Sequence, residues 1–268
     1  MKKYELTGET KEVYGHILHR IRALRNFGDI NKGNLGGWIE SERNLSQTGD
    51  AWVGGNAEVY DNAKVSGNAK VFGDAKVSGN AEVYDNAKVY DNAWISGNAK
   101  VSGNAEVYGN AKVSGNAWVY DDAKVYGNAE VYDNAKVSGN AEVFGNAEVY
   151  GDAWVGDNAR VYGDAWVYGN AKVYGDAWVY GTATVCGKAD VCGDAHIVTN
   201  ADYTVYKNTW SSGRWFTYTR SNKKWAVGCF HGTGDELVKK AYADSELSGN
   251  CYKAIVEAQE YVDRVLRR

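Results

Sequence analysis

The chain has 268 residues, a formal net charge of −4 and no proline, and its four cysteines are too few and too clustered for a disulfide framework. No apolar stretch approaches the roughly 20 residues of a membrane span and no signal-like segment opens the chain, so we expect a cytoplasmic protein without membrane contact. Residues 49–198 carry eleven basic and twenty acidic residues, which argues against general DNA binding because phosphate attraction supplies most non-specific affinity.

Residues 1–48 differ in pattern from the rest of the chain. Residues 4–6 and 17–24 are predicted to form a short β-hairpin. Leu35, Trp38 and Ile39 follow, and we expect them to cover the first turn of the segment that comes next. We therefore interpret residues 1–48 as an N-terminal cap, because uncovered strand edges recruit other chains.

From Gly49 to Val198 the chain repeats one six-residue unit, Gly-Asn/Asp-Ala-x-Val-y, in 25 copies without insertion or deletion. Ala and Val are two residues apart, so in a strand both point inward while x and y point outward. Gly followed by Asn or Asp turns the chain, because Gly accepts positive φ and Asn tolerates the left-handed region. Each copy can bury its apolar side only against the next copy, which predicts a β-solenoid.

The outward positions predict three copies per turn, and therefore about eight turns. In every third copy, position x alternates in sign through Glu106, Lys124, Glu142 and Arg160. Opposite charges on neighbouring strands are favourable, so this register is preferred. Position y gives an unbroken aromatic column at the same spacing. Its members are Phe72, Tyr90, Tyr108, Tyr126, Phe144, Tyr162 and Tyr180.

Two further sets of outward residues stand out. Five acidic residues at the corners are interpreted as turn formers, with attraction of a basic partner or imitation of nucleic acid charge as the alternative. At a spacing of three copies, cationic side chains also fall next to indoles, which predicts structural cation–π contacts. The corner residues are Asp61, Asp85, Asp91, Asp133 and Asp157, and the cation–indole columns are Trp118-Lys136-Trp154-Lys172 and Arg160-Trp178-His196.

Residues 199–268 change pattern again and predict a small α+β domain. Residues 203–207, 215–220 and 225–230 alternate as in a β-meander, with a turn at Ser211, Ser212 and Gly213. Two helices are expected to follow. Asp235 is the predicted N-cap of the first, which ends near Ser245, and Asn250 is the predicted N-cap of the second. The predicted apolar face of the second helix consists of Tyr252, Ile255, Val256, Val262, Val265 and Leu266.

Two candidate binding surfaces follow from these patterns. The aromatic column can stabilise the ladder, mediate self-association or partner contact, or hold a ligand. On the meander, Trp215, Tyr218, Arg220 and Trp225 combine aromatic and cationic groups that suit a nucleotide or an acidic peptide. The alternative is that these rings only cap the solenoid.

The repeat resembles the hexapeptide repeat of left-handed parallel β-helices, in which an aliphatic residue is followed four positions later by a small one. Residues 65–70, Val-Ser-Gly-Asn-Ala-Lys, follow that rule. Residues 21–24, 27–29, 35–40 and 44–47 are similar to the start of the YdcK-type bacterial and prophage hexapeptide proteins, and the resemblance covers roughly residues 15 to 198. It implies a left-handed parallel β-helix, and some proteins with this repeat are acyltransferases.

In the hexapeptide acyltransferases that the repeat resembles, a histidine base lies on the coils, substrates lie between subunits of a trimer, and extruded loops help to build the site. Here no loop interrupts the coils, and the only coil histidine is His196 in the last copy. We therefore expect no catalytic residue, with His196 as the weak candidate, and no cofactor. A zinc site at Cys186, Cys192 and His196 is also disfavoured, because successive copies place their side chains at different corners.

These observations together favour a mainly β protein with an N-terminal cap (1–48), a left-handed parallel β-helix (49–198) and a C-terminal domain (199–268). We expect a non-catalytic scaffold of phage or prophage origin that binds a protein partner or its own copies, a trimer among the options. The first alternative is a hexapeptide-family acyltransferase acting at a trimer interface. The second is a capture protein that sequesters a nucleotide or a host defence factor, so a small-molecule ligand also stays open.

Overall fold

The computed structural model describes residues 2–210 and 213–266. Within them lie 32 strands and two α-helices. The N-terminal strands are β1 (Tyr4–Val13), β2 (His16–Ala23) and β3 (Leu35–Ile39), followed by a 3-10 turn at Glu42–Asn44. Strands β4 to β28 have two residues each, begin at Trp52–Val53, recur once in every copy and end at His196–Ile197. After a 3-10 turn at Asn200–Asp202 come β29 (Tyr203–Lys207), β30 (Trp215–Thr219), β31 (Lys224–Val227), β32 (Phe230–Gly232), α1 (Gly234–Asp244) and α2 (Glu246–Leu266).

The N-terminal hairpin is confirmed and is longer than predicted. Strands β1 and β2 pair antiparallel from Tyr4 opposite Ala23 to Val13 opposite His16. The connecting residues Tyr14 and Gly15 have φ values of 50° and 84°. Two successive positive φ angles are typical of a type I′ turn, whose twist matches that of the flanking strands.

The solenoid begins before the first six-residue copy. Strand β3 pairs antiparallel with β2 and parallel with β5, with Trp38 opposite Glu58 and Ile39 opposite Val59. Leu45 forms a parallel bridge with Val65. The turn formed by residues 38–53 therefore lies mostly outside the six-residue repeat, and the solenoid has about nine turns instead of the predicted eight.

The prediction that Leu35 covers the first turn is wrong. Ile39 is fully buried and Trp38 nearly so, but Leu35 is exposed. The pairing of β2 with β3 shifts register between Arg20 and Arg22. Such an irregularity breaks the alternation that would otherwise place Leu35 on the same face as Ile39.

The solenoid has the predicted three sides and the predicted three-copy register, in which each copy lies over the third copy further along the chain. Its strands form three parallel sheets, and each strand pairs with the strand three places on. Lys88 lies opposite Glu106 and Val89 opposite Val107, for example. Each copy donates three backbone hydrogen bonds to the next turn, such as those from Lys88 to Ala105 (2.9 Å), Tyr90 to Val107 (3.0 Å) and Asn92 to Gly109 (2.9 Å). The Ala and Val side chains are buried, so they form the core as expected.

At the corners, the prediction that the aspartates form turns is confirmed, and the one made for Asn is wrong. Positive φ occurs at the first corner position, whether it holds Gly or Asp, and all five predicted aspartates adopt it. The aspartate side chains also accept hydrogen bonds from the glycine N–H one turn on, as Asp85 does from Gly103 at 3.2 Å. Among the described residues no Asn has positive φ, so the expectation that Asn takes the left-handed region is wrong. Its side chain instead donates to the amide or carboxylate one turn on, as Asn98 does to Asn116 at 2.9 Å.

The C-terminal domain is an antiparallel meander of β29 to β32 with two helices. The third predicted run is split, because Gly228 at φ 58° turns the chain between β31 and β32. Helix α1 is capped by Thr233, whose side chain accepts from the Glu236 N–H, and not by the predicted Asp235. The predicted turn at Ser211 and Ser212 lies outside the described residues.

Helix α2 begins at Glu246, before the predicted N-cap Asn250. Ser245, in extended conformation, closes α1 and accepts a hydrogen bond from the Ser248 N–H at 3.1 Å, so it separates the two helices. The predicted apolar face of α2 is partly wrong. Tyr252 and Val256 are buried, but the residues nearer the C-terminus are not. The exposed members are Val262, Val265 and Leu266.

None of the described helices is long and apolar enough to cross a membrane.

Because the turns stack closely, most corner glycines have no room for a side chain. At Gly103 (φ +67°) an added Cβ would lie 2.8 Å from both the N and the O of Asp121, whereas at Gly187 (φ +70°) it would meet nothing within 4 Å. Gly187→Ala should lower the free energy of unfolding by about 1 kcal/mol, because an L residue is disfavoured at positive φ. Gly103→Ala should lower it by a further ~1–3 kcal/mol through overpacking. Urea unfolding of both variants checks this, and equal losses would show that the turns do not stack as described.

Candidate functional site: the ladder face

The ladder face is the side of the solenoid formed by the nine paired strands that run from β4 to β28, one in every third copy. Three parallel columns run along it, because every outward position is repeated one turn on. The first is a column of corner amides and carboxylates, the second holds position x, and the third holds the aromatic residues of position y. The middle column includes Lys88, Glu106, Lys124, Glu142 and Arg160.

The aromatic residues form a stacked ladder. Consecutive rings from Tyr90 to Tyr162 have centroids 4.8 Å apart and planes within 2° of parallel, and Tyr180 follows at 5.0 Å. This distance equals the usual separation of neighbouring strands. Within the described residues Phe72 is not stacked on Tyr90, so the predicted column is continuous from Tyr90 onward.

The stacking limits what the ladder can bind. Each ring is partly buried because its two faces contact the rings above and below. Between Tyr90 and Tyr180 a base or sugar therefore finds ring edges and hydroxyls and no free ring face. The hydroxyls of Tyr90 and Tyr126 donate to the carboxylates of Glu106 (3.3 Å) and Glu142 (3.2 Å). This geometry suits contact with a protein surface better than stacking of a planar ligand.

A shallow groove of about 620 Å³ runs beside the ladder. One wall consists of corner amides and carboxylates, and the other of the charged column. Lys88 pairs with Glu106 at 3.0 Å and Arg160 with Glu142 at 3.8 Å, which confirms the predicted alternation. The groove is lined by Asn86, Lys88, Asn104, Glu106, Asp122, Lys124, Asn140 and Glu142.

His196 lies at the end of the ladder face in a stacking position. Its ring is 4.9 Å from Trp178 and edge-on to Tyr180, and the Arg160 guanidinium lies over the Trp178 ring at 5.3 Å. This confirms the cation–indole column at that position. Among the described residues no carboxylate is hydrogen-bonded to the His196 ring, so the arrangement lacks the group that orients a general base.

The other cation–indole column is differently arranged. Trp118 and Lys136 are in register, as predicted. The indole N–H of Trp118 donates to Ser102 at 3.1 Å, however, and that of Trp154 to Ser138 at 2.9 Å. Among the described residues, no lysine lies over either ring, so the predicted cation–π contacts in this column are wrong. The serine of the preceding turn offers the indole nitrogen a direct partner, which alternation alone does not reveal.

A second, shorter ladder was missed from the sequence. Tyr132, Tyr150 and Tyr168 stack at 4.8 Å on a different side of the solenoid. The hydroxyl of Tyr132 donates to Glu148 at 2.8 Å. Tyrosines at position y of three successive turns were the available signal, hidden by the serines that precede them in the same column.

The four candidate residues on the meander do not share a surface. Trp215 is exposed and Lys207 lies over its ring at 5.3 Å. Tyr218 and Trp225 are buried beneath the helices. Arg220 donates through Nε to Asp263 at 2.9 Å. The proposed aromatic and cationic face is therefore divided between a core, an ion pair and the solvent.

Asp263 organises this buried network and was missed from the sequence. Tyr218 donates to Asp263 at 2.5 Å and Gln259 at 2.9 Å, while Tyr206 donates to Gln259 at 2.7 Å. Burial opposes ionisation of Asp263, but the hydrogen bonds from Tyr218 and Arg220 outweigh it and hold its pKa below the usual value. Because Arg220 is already paired, it offers little to a nucleotide or acidic peptide.

The structure separates the residues considered for zinc. Cys186, Cys192 and His196 follow or belong to β26, β27 and β28, which lie in three different sheets. A cluster of residues that commonly bind metals lies elsewhere, at His16, Glu40 and Asp61. His16 contacts Glu40 through Nδ1 and Asp61 through Nε2, both at 3.3 Å. Since a metal binds one ring nitrogen, this is the pattern of a histidine bridging two carboxylates, and it links the hairpin to the solenoid.

Removing one ring should reveal the ladder's contribution to stability. Tyr126→Ala removes two stacked contacts, each worth about 0.5–1.5 kcal/mol, and so should lower the free energy of unfolding by about 1–3 kcal/mol more than its control. The matched control is Tyr84→Ala, since Tyr84 has serines one turn before and one turn after it. Urea unfolding measures both. Equal destabilisation by the two variants would contradict a stabilising ladder.

The ladder should also resist ionisation. Burial, followed by the neighbouring Glu142 carboxylate, raises the pKa of Tyr126 to about 12. Because the folded-state pKa exceeds the unfolded value near 10, this residue's contribution to stability is complete below pH ~10 and is lost as the pH rises toward 12. Ultraviolet difference titration of the wild type against Tyr126→Phe measures it. A midpoint equal to that of the urea-unfolded chain would contradict the prediction.

A scan against known families agrees with this geometry. The model described as the YdcK β-solenoid repeat matches residues 153–169. No curated protein matches the chain. The matched segment covers nearly three copies and includes part of the ladder face. Together with about nine stacked turns, this match supports a repeat β-helix protein similar to the YdcK type.

Proposed function

We propose that the protein is a non-catalytic binding scaffold whose ladder face holds a protein partner or another copy of the chain. The observation that carries the proposal is the continuous run of rings at 4.8 Å spacing beside a charged groove. Tyrosine is enriched at protein interfaces because it offers a large apolar body and a polar tip. Here the side chains are already held in place by their neighbours, so little conformational entropy is lost on binding.

The charge pattern favours a specific partner over a passive surface. Lysine and glutamate alternate along the groove at the strand spacing, and a partner must present the complementary order to pair with them. Such alternation adds little net attraction for a polyanion. This distinguishes a protein partner from nucleic acid, which calls for a continuous basic strip.

The proposal includes a cytoplasmic location and an origin in a phage or prophage. A cytoplasmic location is supported by the four free cysteines, all of them in the described residues. An origin in a phage or prophage rests on the resemblance of the opening segment to YdcK-type proteins. For acyl transfer the available histidine is His196, and its contacts are those of a stacked ring.

Charge reversal on the ladder face tests the proposal. The purified protein is immobilised, partners are captured from the host lysate, and the affinity of each is measured for Lys124→Glu and for Lys136→Glu, an exposed lysine on another side of the solenoid. Lys124→Glu should weaken binding at least tenfold, because a charge facing a partner is reversed, whereas Lys136→Glu should not.

Two results would contradict this function. One is a partner whose affinity is lowered equally by both variants, which would place binding elsewhere. The other is transfer of an acyl group from acetyl-CoA by the purified protein that is lost in His196→Ala. Unfolding curves of both lysine variants ensure that a loss of binding does not reflect a loss of folding.

A further inference from the structure

Helix α2 has two apolar stripes, and the domain core uses one of them. Tyr252 and Val256 pack against the meander together with α1. On the opposite side Leu247, Tyr261 and Val265 have exposed fractions of 64%, 62% and 51%. An exposed apolar strip of this length usually marks an interface.

The spacing of the exposed stripe is that of a coiled-coil seam. Its members are separated alternately by four and three residues, which is the spacing of the a and d positions of a heptad. From the first to the last the seam is about 27 Å long at 1.5 Å per residue. Two of its central positions are alanines, which allow another helix to approach closely. The seam consists of Leu247, Cys251, Ala254, Ala258, Tyr261 and Val265.

We propose that the C-terminal part of this seam, from Ala254 to Val265, binds the same part of the α2 helix of a second copy of the chain in antiparallel orientation. The flanking residues give the reason. Glu257 and Arg264 lie along one flank of the seam, and Ile255 and Val262 along the other. The pattern is self-complementary only when the two helices run in opposite directions.

An antiparallel pair with Ala258 opposite Tyr261 of the second copy overlaps over residues 254–265 and brings Glu257 beside Arg264 of that copy. Leu247 and Cys251 lie outside this overlap. Because the arrangement has two-fold symmetry, the ion pair occurs twice. On the other flank Ile255 contacts Val262 of the second copy. A parallel pair instead places Glu257 against Val262, where its charge has no partner, so charge complementarity selects the antiparallel form.

Both charged groups are available for this contact. Glu257 pairs with Lys253 at 3.8 Å, but both side chains are more than half exposed, and pairs of this kind contribute little. The guanidinium of Arg264 lies 5.9 Å from the Tyr261 ring, beside the seam. This surface belongs to the C-terminal domain, so the inference does not depend on the ladder face.

A charge swap in the full chain provides the test, with sedimentation velocity as the measurement. The wild type should sediment as a dimer of about twice the 29.3 kDa chain mass. Glu257→Arg and Arg264→Glu each oppose like charges and should weaken dimerisation at least tenfold. The double variant Glu257→Arg/Arg264→Glu should restore the dimer, because it exchanges the partners without changing the geometry.

Two further variants make the result decisive. Val265→Asp places a charge in the seam and should give a monomer, whereas Lys253→Glu lies off the seam and should leave the dimer intact. Circular dichroism confirms that each variant is folded. A monomeric wild type, an oligomer that persists in Val265→Asp, or failure of the double variant to restore the dimer would overturn the proposal. So would a monomer whose α2 instead binds lipid vesicles in a manner lost in Val265→Asp.

Discussion

Every feature of the solenoid depends on the parallel hydrogen bonding of each copy to the third copy further along the chain. This register places equivalent positions directly over one another, so rings, amides and charges become continuous columns. Stacked rings and stacked amides stabilise the solenoid, whereas like charges on neighbouring strands destabilise it. Each aspartate with positive φ accordingly has a glycine one turn on. Where like charges do adjoin, other groups compensate: Lys70 pairs with Asp29, and Glu148 accepts a hydrogen bond from Tyr132.

The same register also fixes which side chains lie together on each side of the solenoid. Side chains of the ladder face are held by their neighbours, and no loop interrupts the succession of two-residue strands from 52 to 197. Rigid, periodic presentation suits recognition of an extended protein surface. The irregular parts of the chain, the hairpin and the C-terminal domain, cover the two ends of the solenoid. The second candidate interface, on α2, lies in one of these parts.

The sequence predicts the solenoid well because the inward Ala and Val and the corner residues recur in every copy. Each copy therefore gives the same prediction as its neighbours. Prediction fails where that repetition stops. Residues 36–45 form most of the first turn but do not follow the six-residue pattern, and Ser245 sets the start of α2 through its hydrogen bonds with Ser248 and Gly249. The meander site fails for a different reason. Alternation places Tyr218 and Arg220 on one side of a strand, but only the fold shows that Asp263, from the distant helix α2, occupies that side.

The most direct test of the three-copy register is a distance measurement between spin labels in one outward column. Lys64, Lys136 and Lys172 belong to the same column, the second and third lying four and six turns from the first. With the four native cysteines replaced by serine, labels at 64 and 136 should be separated by about 19 Å, and labels at 64 and 172 by about 29 Å, at ~4.8 Å per turn. Narrow distributions that differ by about 10 Å are the expected result. Separations that fit another number of copies per turn, or that do not increase from the first pair to the second, would contradict the register, and with it the ladder face.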